Sequence, residues 1–315
     1  MQGKLIKSVL FGVAVGDAVG VPFEFNSRIY MDRKPAKDMV GFGTYNQAPG
    51  TFSDDSSLTF CLAEALTSPL DMKELANNFI NWSEEGFWSA RGDVFDIGIA
   101  TEEAIGNLID GVLPHLSGGD DEYSNGNGSL MRIAPLLFYI ADKQIEERFE
   151  ITQQVSSITH RHIRSVIACF YYLEFAKQLM EGRSKFEAYQ ITKDVVKSHL
   201  GLISAPVNEI SHFDRLLNQD IYIESKDSIK SSGYVIHTLE ASIWCLLNTD
   251  SYETAILQAV NLGEDTDTTA AVTGGLAGLL YGFEGIPENW INQLAKKNEI
   301  EDLAVRLGMG LGSLN

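Results

Sequence analysis

The stretch NLGEDTDTTAAVTGGLAGLLYG, residues 261–282, decides the architecture. From Thr268 to Tyr281 it is apolar on nearly every side at helical spacing, which predicts a helix with no solvent face. Such a helix belongs at the centre of an assembly, and Gly274, Gly275 and Gly278 leave room for neighbouring backbones to approach closely. Just ahead of it stands Asp265-Thr266-Asp267-Thr268, two carboxylates and two hydroxyls where one capping side chain would suffice. More than two hundred residues earlier the pattern recurs as Ser53-Asp54-Asp55-Ser56, again ahead of a predicted helix, here through Leu66.

Working outward, helical spacing covers most of the chain. Helices are predicted over Leu5 to Val19, from Asp71 through Trp82, and over Ile97 to Leu108, Leu130 to Ile140 and Ile145 to Ser157. Further ones are predicted over Arg164 to Met180, Phe186 to Lys197, Gly233 to Leu247 and Tyr252 to Leu262. Leu70-Asp71-x-x-Glu74 has the form of a capping box with a hydrophobic residue ahead of it. The one strand candidate, Asp220 to Glu224, is short, and no βαβ rhythm appears. Residues 26–50 and 115–128 read as loops, rich in Gly, Pro, Asp and Asn, and long loops in a compact domain are frequent binding surfaces. The expectation is an all-α, compact multi-helix domain spanning residues 1–315, since no stretch has the composition of a linker.

At 315 residues and 44% hydrophobic, the chain can bury a large core. A formal net charge of −19 opposes general binding to nucleic acid or to anionic membranes, which needs clustered Lys and Arg. Any phosphate-bearing ligand would therefore depend on local help from backbone N–H groups, helix ends or cations. No stretch is read as a membrane span, and Asp17 interrupts the apolar run that a signal peptide would need, so a cytoplasmic home is expected. Cys61, Cys169 and Cys245 are widely spaced among apolar residues and read as buried hydrophobes; no CxxC or HExxH pattern offers a zinc site.

Each acidic cluster has a plain explanation as a helix cap. The excess of carboxylates favours another: Asp54, Asp55, Asp265 and Asp267 make an all-oxygen ligand set of the kind Mg²⁺ or Mn²⁺ prefers. Unpaired carboxylates sharing a site repel and raise each other's pKa, so their charges can coexist only around bound metal. Asp17 and Glu24, in GDAVGVPFE, are either paired in the interior or simply a cap and a solvated side chain. Asn125 to Arg132, a Gly-Asn loop entering a predicted helix, is an ordinary turn or an anion site made of N–H groups. Thr159-His160-Arg161-His162 reads as a cap with solvent histidines.

Taken together, GDAVGVPFEF, FSDDSSLTF, DIGIAT, GNGSLMRIAPL, THRH and NLGEDTDTTAAVTGGLAGLLYG resemble, in order and spacing, the ADP-ribosylglycohydrolase family, over roughly Leu5 to Gly282. The resemblance implies an all-α fold with two divalent cations, Mg²⁺ or Mn²⁺, in a cleft. It also implies hydrolysis of the bond between the distal ribose of ADP-ribose and an acceptor, on an ADP-ribosylated protein or a small ADP-ribosyl conjugate. Carried over by motif, Ser53 (commonly Thr in the family), Asp54, Asp55, Asp265, Asp267 and Thr268 would hold metal. Glu24 and Asp96 would serve catalysis, with Asp96 in DIGIAT pointing to arginine as acceptor. Gly126, Gly128, Ser129 and Met131 would bind the diphosphate, and His160 would line the pocket. Glu264 departs from the pattern, replacing a glycine or small residue. Two other classes stay open: a non-catalytic ADP-ribose-binding or crystallin-like relative, and a two-metal hydrolase acting on phosphoesters.

Overall fold

The computed structural model describes residues 2–314, and among them there are helices and loops but no strand, only three isolated bridges. The helix Thr266–Tyr281 lies in the middle, buried along nearly all of its length. Its principal partner is Gln2–Gly20, and Tyr252–Val260, Val235–Leu247 and Ile163–Met180 pack around it. Lys297–Leu314 covers the outer side of Gln2–Gly20.

What brings the two central helices together is the absence of side chains between them. A Cβ added at Gly12 would lie 2.3 Å from the Gly274 carbonyl oxygen, one at Gly16 2.2 Å from that of Ala270, and one at Gly20 2.4 Å from Asp267 Cα. From the other side, Gly278 presses on the Ser8 carbonyl at 2.2 Å by the same measure. Gly12, Gly16 and Gly20 recur every fourth residue and so form one stripe, the small-residue spacing that lets helices meet backbone to backbone. Tyr252 donates from Oη to the Gly12 carbonyl at 2.6 Å, which keeps that buried oxygen satisfied. The window Gln2–Phe23 has the length and mean hydropathy (1.6) of a membrane span, contrary to the sequence expectation that no stretch is long enough. Its apolar surface is spent on the interior, with 89% of the window buried.

The predicted helices are present with small shifts of boundary. Ile145–Ser157 has the expected limits, Asp54–Ala65 begins directly after Ser53, and Ile99–Ile109 starts two residues late because Gly98 is extended. Asp71 caps Met72–Glu85 by accepting from the Lys73 N–H at 2.8 Å, but Glu74 turns to Ser68 instead of closing a box. A complete capping box sits at Ser184 and Glu187.

Two expectations are corrected. Leu130 to Ile140 is not one helix: turns lead through Arg132, a 3₁₀ turn covers Ala134–Leu136, and only Leu137–Ile140 is α-helical. Pro135 has no N–H to give to a continuous helix. The strand candidate Asp220 to Glu224 is a 3₁₀ turn, Ile221–Ile223. The 26–50 loop also contains a short helix, Arg28–Arg33, and a 3₁₀ turn, Gly43–Tyr45.

Candidate active site

The close contact at Gly20 delivers the start of the Thr266–Tyr281 helix against the end of the N-terminal helix, and there the acidic clusters meet. Asp17, inside Gln2–Gly20, reaches across to the first turn of Asp54–Ala65. Its carboxylate accepts from the Ser53 N–H at 2.9 Å, the Ser56 N–H at 3.0 Å and the Ser56 hydroxyl at 2.5 Å. This is a helix cap supplied from another helix, and it fixes the orientation of Asp54 and Asp55. Ser53 caps as well, accepting from the Asp55 N–H at 3.3 Å, and its hydroxyl donates to Asp55 Oδ2 at 3.0 Å. The Thr268 hydroxyl donates to the same Asp55 oxygen at 3.3 Å, so the two remote clusters touch directly.

Asp265 and Asp267 are not explained by capping. Asp265 sits at the cap position of Thr266–Tyr281 yet makes no side-chain capping bond. Its Oδ2 accepts from Asn127 Nδ2 at 2.8 Å, which ties the Gly-Asn loop to the cluster. One oxygen on each of Glu24, Asp55, Asp265 and Asp267 is buried without a hydrogen-bond partner. Carboxylate oxygens of Asp17, Asp55 and Asp267 lie within 4.8 Å of one another, as do those of Glu24, Asp96 and Asp267. Orphaned buried acceptors converging from an all-carboxylate set are what a hard divalent cation needs, and the residues fit one. Asp17 belongs to the cluster by position only, because both its oxygens already accept hydrogen bonds.

The electrostatics agree. Burial, reinforced by neighbouring carboxylates, pushes Asp54, Asp55 and Asp267 well above the usual carboxylate range. Burial raises Asp265 to about 6 and Asp17 to about 7, against the hydrogen bonds each accepts. Glu24 is raised to about 9 by burial and then by the charge of Asp96, which is itself raised by burial. Without compensating positive charge this cluster keeps protons.

Glu24 is placed by a strained bracket. Phe25 and Glu264 both have φ of 62°. The Phe25 N–H donates to the Glu264 carbonyl at 2.7 Å, and the Glu264 N–H returns to the Asn26 carbonyl at 2.7 Å. Left-handed backbone at two bulky residues is costly, and it locks the turn carrying Glu24 to the turn carrying Asp265. The exposed Glu264 side chain thus contributes its backbone here. Asp96, also left-handed at φ 62°, is held through its Oδ1 by the Tyr45 hydroxyl, whose ring lies 5.1 Å from that of Phe95.

Above these groups opens a cavity of about 330 Å³. Glu24, Asp54, Asp96, Asp265, Thr268, Gly126, Gly128, Met131 and His160 line it, while Ser53, Asp55 and Asp267 lie buried beneath. Ser129 faces away, its hydroxyl accepting from Ser156 at 3.0 Å and meeting Cys169 Sγ at 3.4 Å. No regular helix follows the Gly-Asn loop, so the positive helix end expected there is absent. The loop is instead pinned by the Asn127 N–H to the Gly233 carbonyl at 3.0 Å and by the Val235 N–H to the Asn125 carbonyl at 3.0 Å. His160 is buried, contrary to the reading of a solvent histidine, and the cap of Ile163–Met180 is His162. A larger cleft of about 830 Å³, lined by His115, Asp120, Glu150, Arg161 and His162, gathers none of the predicted site residues. The three cysteines are free and buried.

Tyr45 escaped the sequence reading, since a tyrosine in a loop carries no periodic or motif signal. For Asp17 the reading as a cap holds; which helix it caps is not legible locally, since Ser53 and Ser56 arrive from another element.

Comparison with known proteins follows the same lines. Residues 3–313 match the family model described as ADP-ribosylglycohydrolase. The chain is 35% identical over 307 residues to the ADP-ribosylarginine hydrolase Tri1 of Serratia proteamaculans (strain 568), covering 96% of this chain and 78% of that protein. It is 27% identical over 297 residues to the ADP-ribosyl-[dinitrogen reductase] glycohydrolase of Rhodospirillum rubrum, covering 92% and 90%. A solved structure titled "ADP-ribosylglycohydrolase-related protein complex" superposes with a TM-score of 0.82 at 26% identity, over 98% of this chain and 99% of that one. With its helical core, its joined acidic turns and a family match from end to end, the chain belongs to the ADP-ribosylglycohydrolase family.

Proposed function

We propose that this protein is a divalent-cation-dependent hydrolase that removes ADP-ribose from ADP-ribosylated arginine, on a protein or a small conjugate in the cytoplasm. Family membership supports cleavage of an ADP-ribose linkage, and the relative from Serratia proteamaculans, named for arginine, supports the acceptor. The observation that carries the acceptor assignment is the cavity wall: Glu24, Asp54, Asp96 and Asp265 line it, and among the described residues no Lys or Arg does. An arginine acceptor brings a cation for Asp96, which is not among the residues that would hold metal, whereas a serine or acetyl acceptor brings none.

Ser53, Asp54, Asp55, Asp265, Asp267 and Thr268 would hold two cations, Mg²⁺ or Mn²⁺. Bound there, such cations would supply positive charge to the carboxylate cluster and lower the pKa of a water. The protein's own groups do the rest. Glycosidic cleavage passes through an oxocarbenium-like state, so water must be positioned and the leaving group steadied. Glu24 lines the cavity with one oxygen unpartnered, and in the ionised form that bound cations would favour it is the group placed to take the water's proton. Asp96, steadied by Tyr45, faces the departing guanidinium. The Asn127 and Met131 N–H groups are spent on the Gly233 and Asn127 carbonyls, which leaves the Gly126 and Gly128 N–H groups for the diphosphate. Met131 and His160 complete that wall, and Ser129 braces the loop from behind.

The test is product release from defined arginine-, serine- and acetyl-linked ADP-ribose with Mg²⁺, with Mn²⁺ and with chelator. Cation-dependent ADP-ribose release, fastest from arginine, is expected. Release of AMP or phosphate would indicate phosphoester attack, and no turnover on any conjugate would indicate a binding protein.

A further inference from the structure

Arg132 is fully buried and makes no ion pair among the described residues. Its Nε and Nη1 have no hydrogen-bond partner, and its guanidinium lies 4.6 Å from the centre of the Phe79 ring. Burying a guanidinium without a carboxylate is expensive, and an apolar side chain of similar length would fill the same space without that cost. The charge therefore calls for a use, and its one side-chain hydrogen bond among the described residues indicates what that is, the other bond from Nη2 going to the Val155 carbonyl at 3.1 Å. Nη2 donates to Thr159 Oγ1 at 2.8 Å, and Thr159 Oγ1 lies 2.9 Å from His160 Nδ1.

The direction of that second bond follows from proton counting. An arginine N–H can only donate, so Thr159 Oγ1 accepts from it and keeps its own proton free. The arrangement that uses every proton has the Thr159 hydroxyl donating to His160 Nδ1. His160 then carries its proton on Nε2, which faces the Gly-Asn loop: a Cβ built at Gly126 would lie 3.3 Å from Nε2, and one at Gly128 2.7 Å from Cε1. The histidine backbone is gripped too, its carbonyl accepting from the Ser156 hydroxyl at 2.9 Å.

We propose that Arg132 is a positioning residue that acts through Thr159 to hold His160 as a neutral Nε2–H donor aimed at the cavity beside Gly126 and Gly128. Burial, with the charge of Arg132 second, lowers His160 to about 3, so the ring stays neutral at physiological pH and its single proton must be aimed correctly. An N–H at that place adds a fixed donor to the loop's own N–H groups, in a cavity wall that contains no Lys or Arg. That the ligand receiving it is the diphosphate of ADP-ribose rests on the function proposed above; the relay itself rests on the geometry alone.

The test combines ring ¹⁵N NMR of His160 with ADP-ribose binding by calorimetry, in wild type, R132M, R132K and T159V. Wild type should show the Nε2–H tautomer between pH 5 and 8. R132M and T159V should lose that single tautomer and bind ADP-ribose about tenfold more weakly, with Mn²⁺ binding unchanged, and R132K should recover part of both. Should R132M fail to fold, T159V decides, since it cuts the relay without touching the arginine. A folded variant that keeps the Nε2–H tautomer and full ADP-ribose affinity overturns the proposal. If wild type itself does not bind ADP-ribose, the assigned function fails, while the tautomer measurements still decide the relay.

Discussion

At one end of the Gln2–Gly20 and Thr266–Tyr281 pair, Gly12 and Gly278 set bare backbone on backbone, with Tyr252 satisfying the Gly12 carbonyl. At the other end, the same closeness at Gly16 and Gly20 brings Asp17 and Asp267 into one acidic cluster. The first end contributes cohesion. The second spends that cohesion on carboxylates that repel one another and lack partners, which no stability argument alone would retain. A site this unfavourable by itself has to be built where the scaffold is stiffest.

The comparison can be broken at either end. The largest effect is expected at the acidic one: D267A removes the residue common to both carboxylate groups. It should lower ADP-ribose release more than about a hundredfold, beyond what supporting residues of metal sites typically cost, with melting temperature held or raised. Undiminished release by D267A would contradict the assignment. At the apolar end, G274A puts a methyl 2.1 Å from the Gly12 carbonyl oxygen. Urea unfolding should show a loss of about 1–3 kcal/mol, the range for overpacking, and an unchanged midpoint would mean that the helices can part freely.

A third prediction separates the ends by pH. Asp265 at about 6, Asp17 at about 7 and Glu24 at about 9 keep protons in the folded chain that the unfolded chain releases near pH 4. The folded state therefore binds more protons across this interval, and metal-free stability should fall as pH rises from about 4 to 9. Cations favour the ionised carboxylates, so Mg²⁺ or Mn²⁺ should raise the melting temperature more at pH 8.5 than at pH 5.5. An equal gain at both would argue that the cations act elsewhere. The smallest effect concerns the bracket beside the cluster. E264G relieves one left-handed residue and should stabilise the protein by up to about 1 kcal/mol in denaturant titration. A loss would show that the glutamate side chain holds something its backbone does not.

Much of this was legible before any coordinates. Thr268 to Tyr281 has no polar face, so a central position follows from its composition. The two acidic clusters carry more oxygen than capping requires. What stayed hidden depends on contacts that no local pattern encodes. Asp17 lies on an apolar helix, and its role exists only because Ser53 and Ser56 arrive beside it from another helix. Tyr45 is one aromatic in a loop until Asp96 meets it. Leu130 to Ile140 is apolar enough for a helix, but Pro135 lacks the N–H that a continuous helix needs there. The left-handed turns at Phe25 and Glu264 occur at residues that rarely adopt them, so only the assembled site reveals them.

The central claim is that the Ser53 and Asp265 turns build one site for two cations, and titration with Mn²⁺ followed by electron paramagnetic resonance tests it most directly. Two Mn²⁺ per chain with a spin-coupled spectrum, lost in D267A, is the predicted result. A single uncoupled Mn²⁺, or none retained by the wild-type protein, would contradict it.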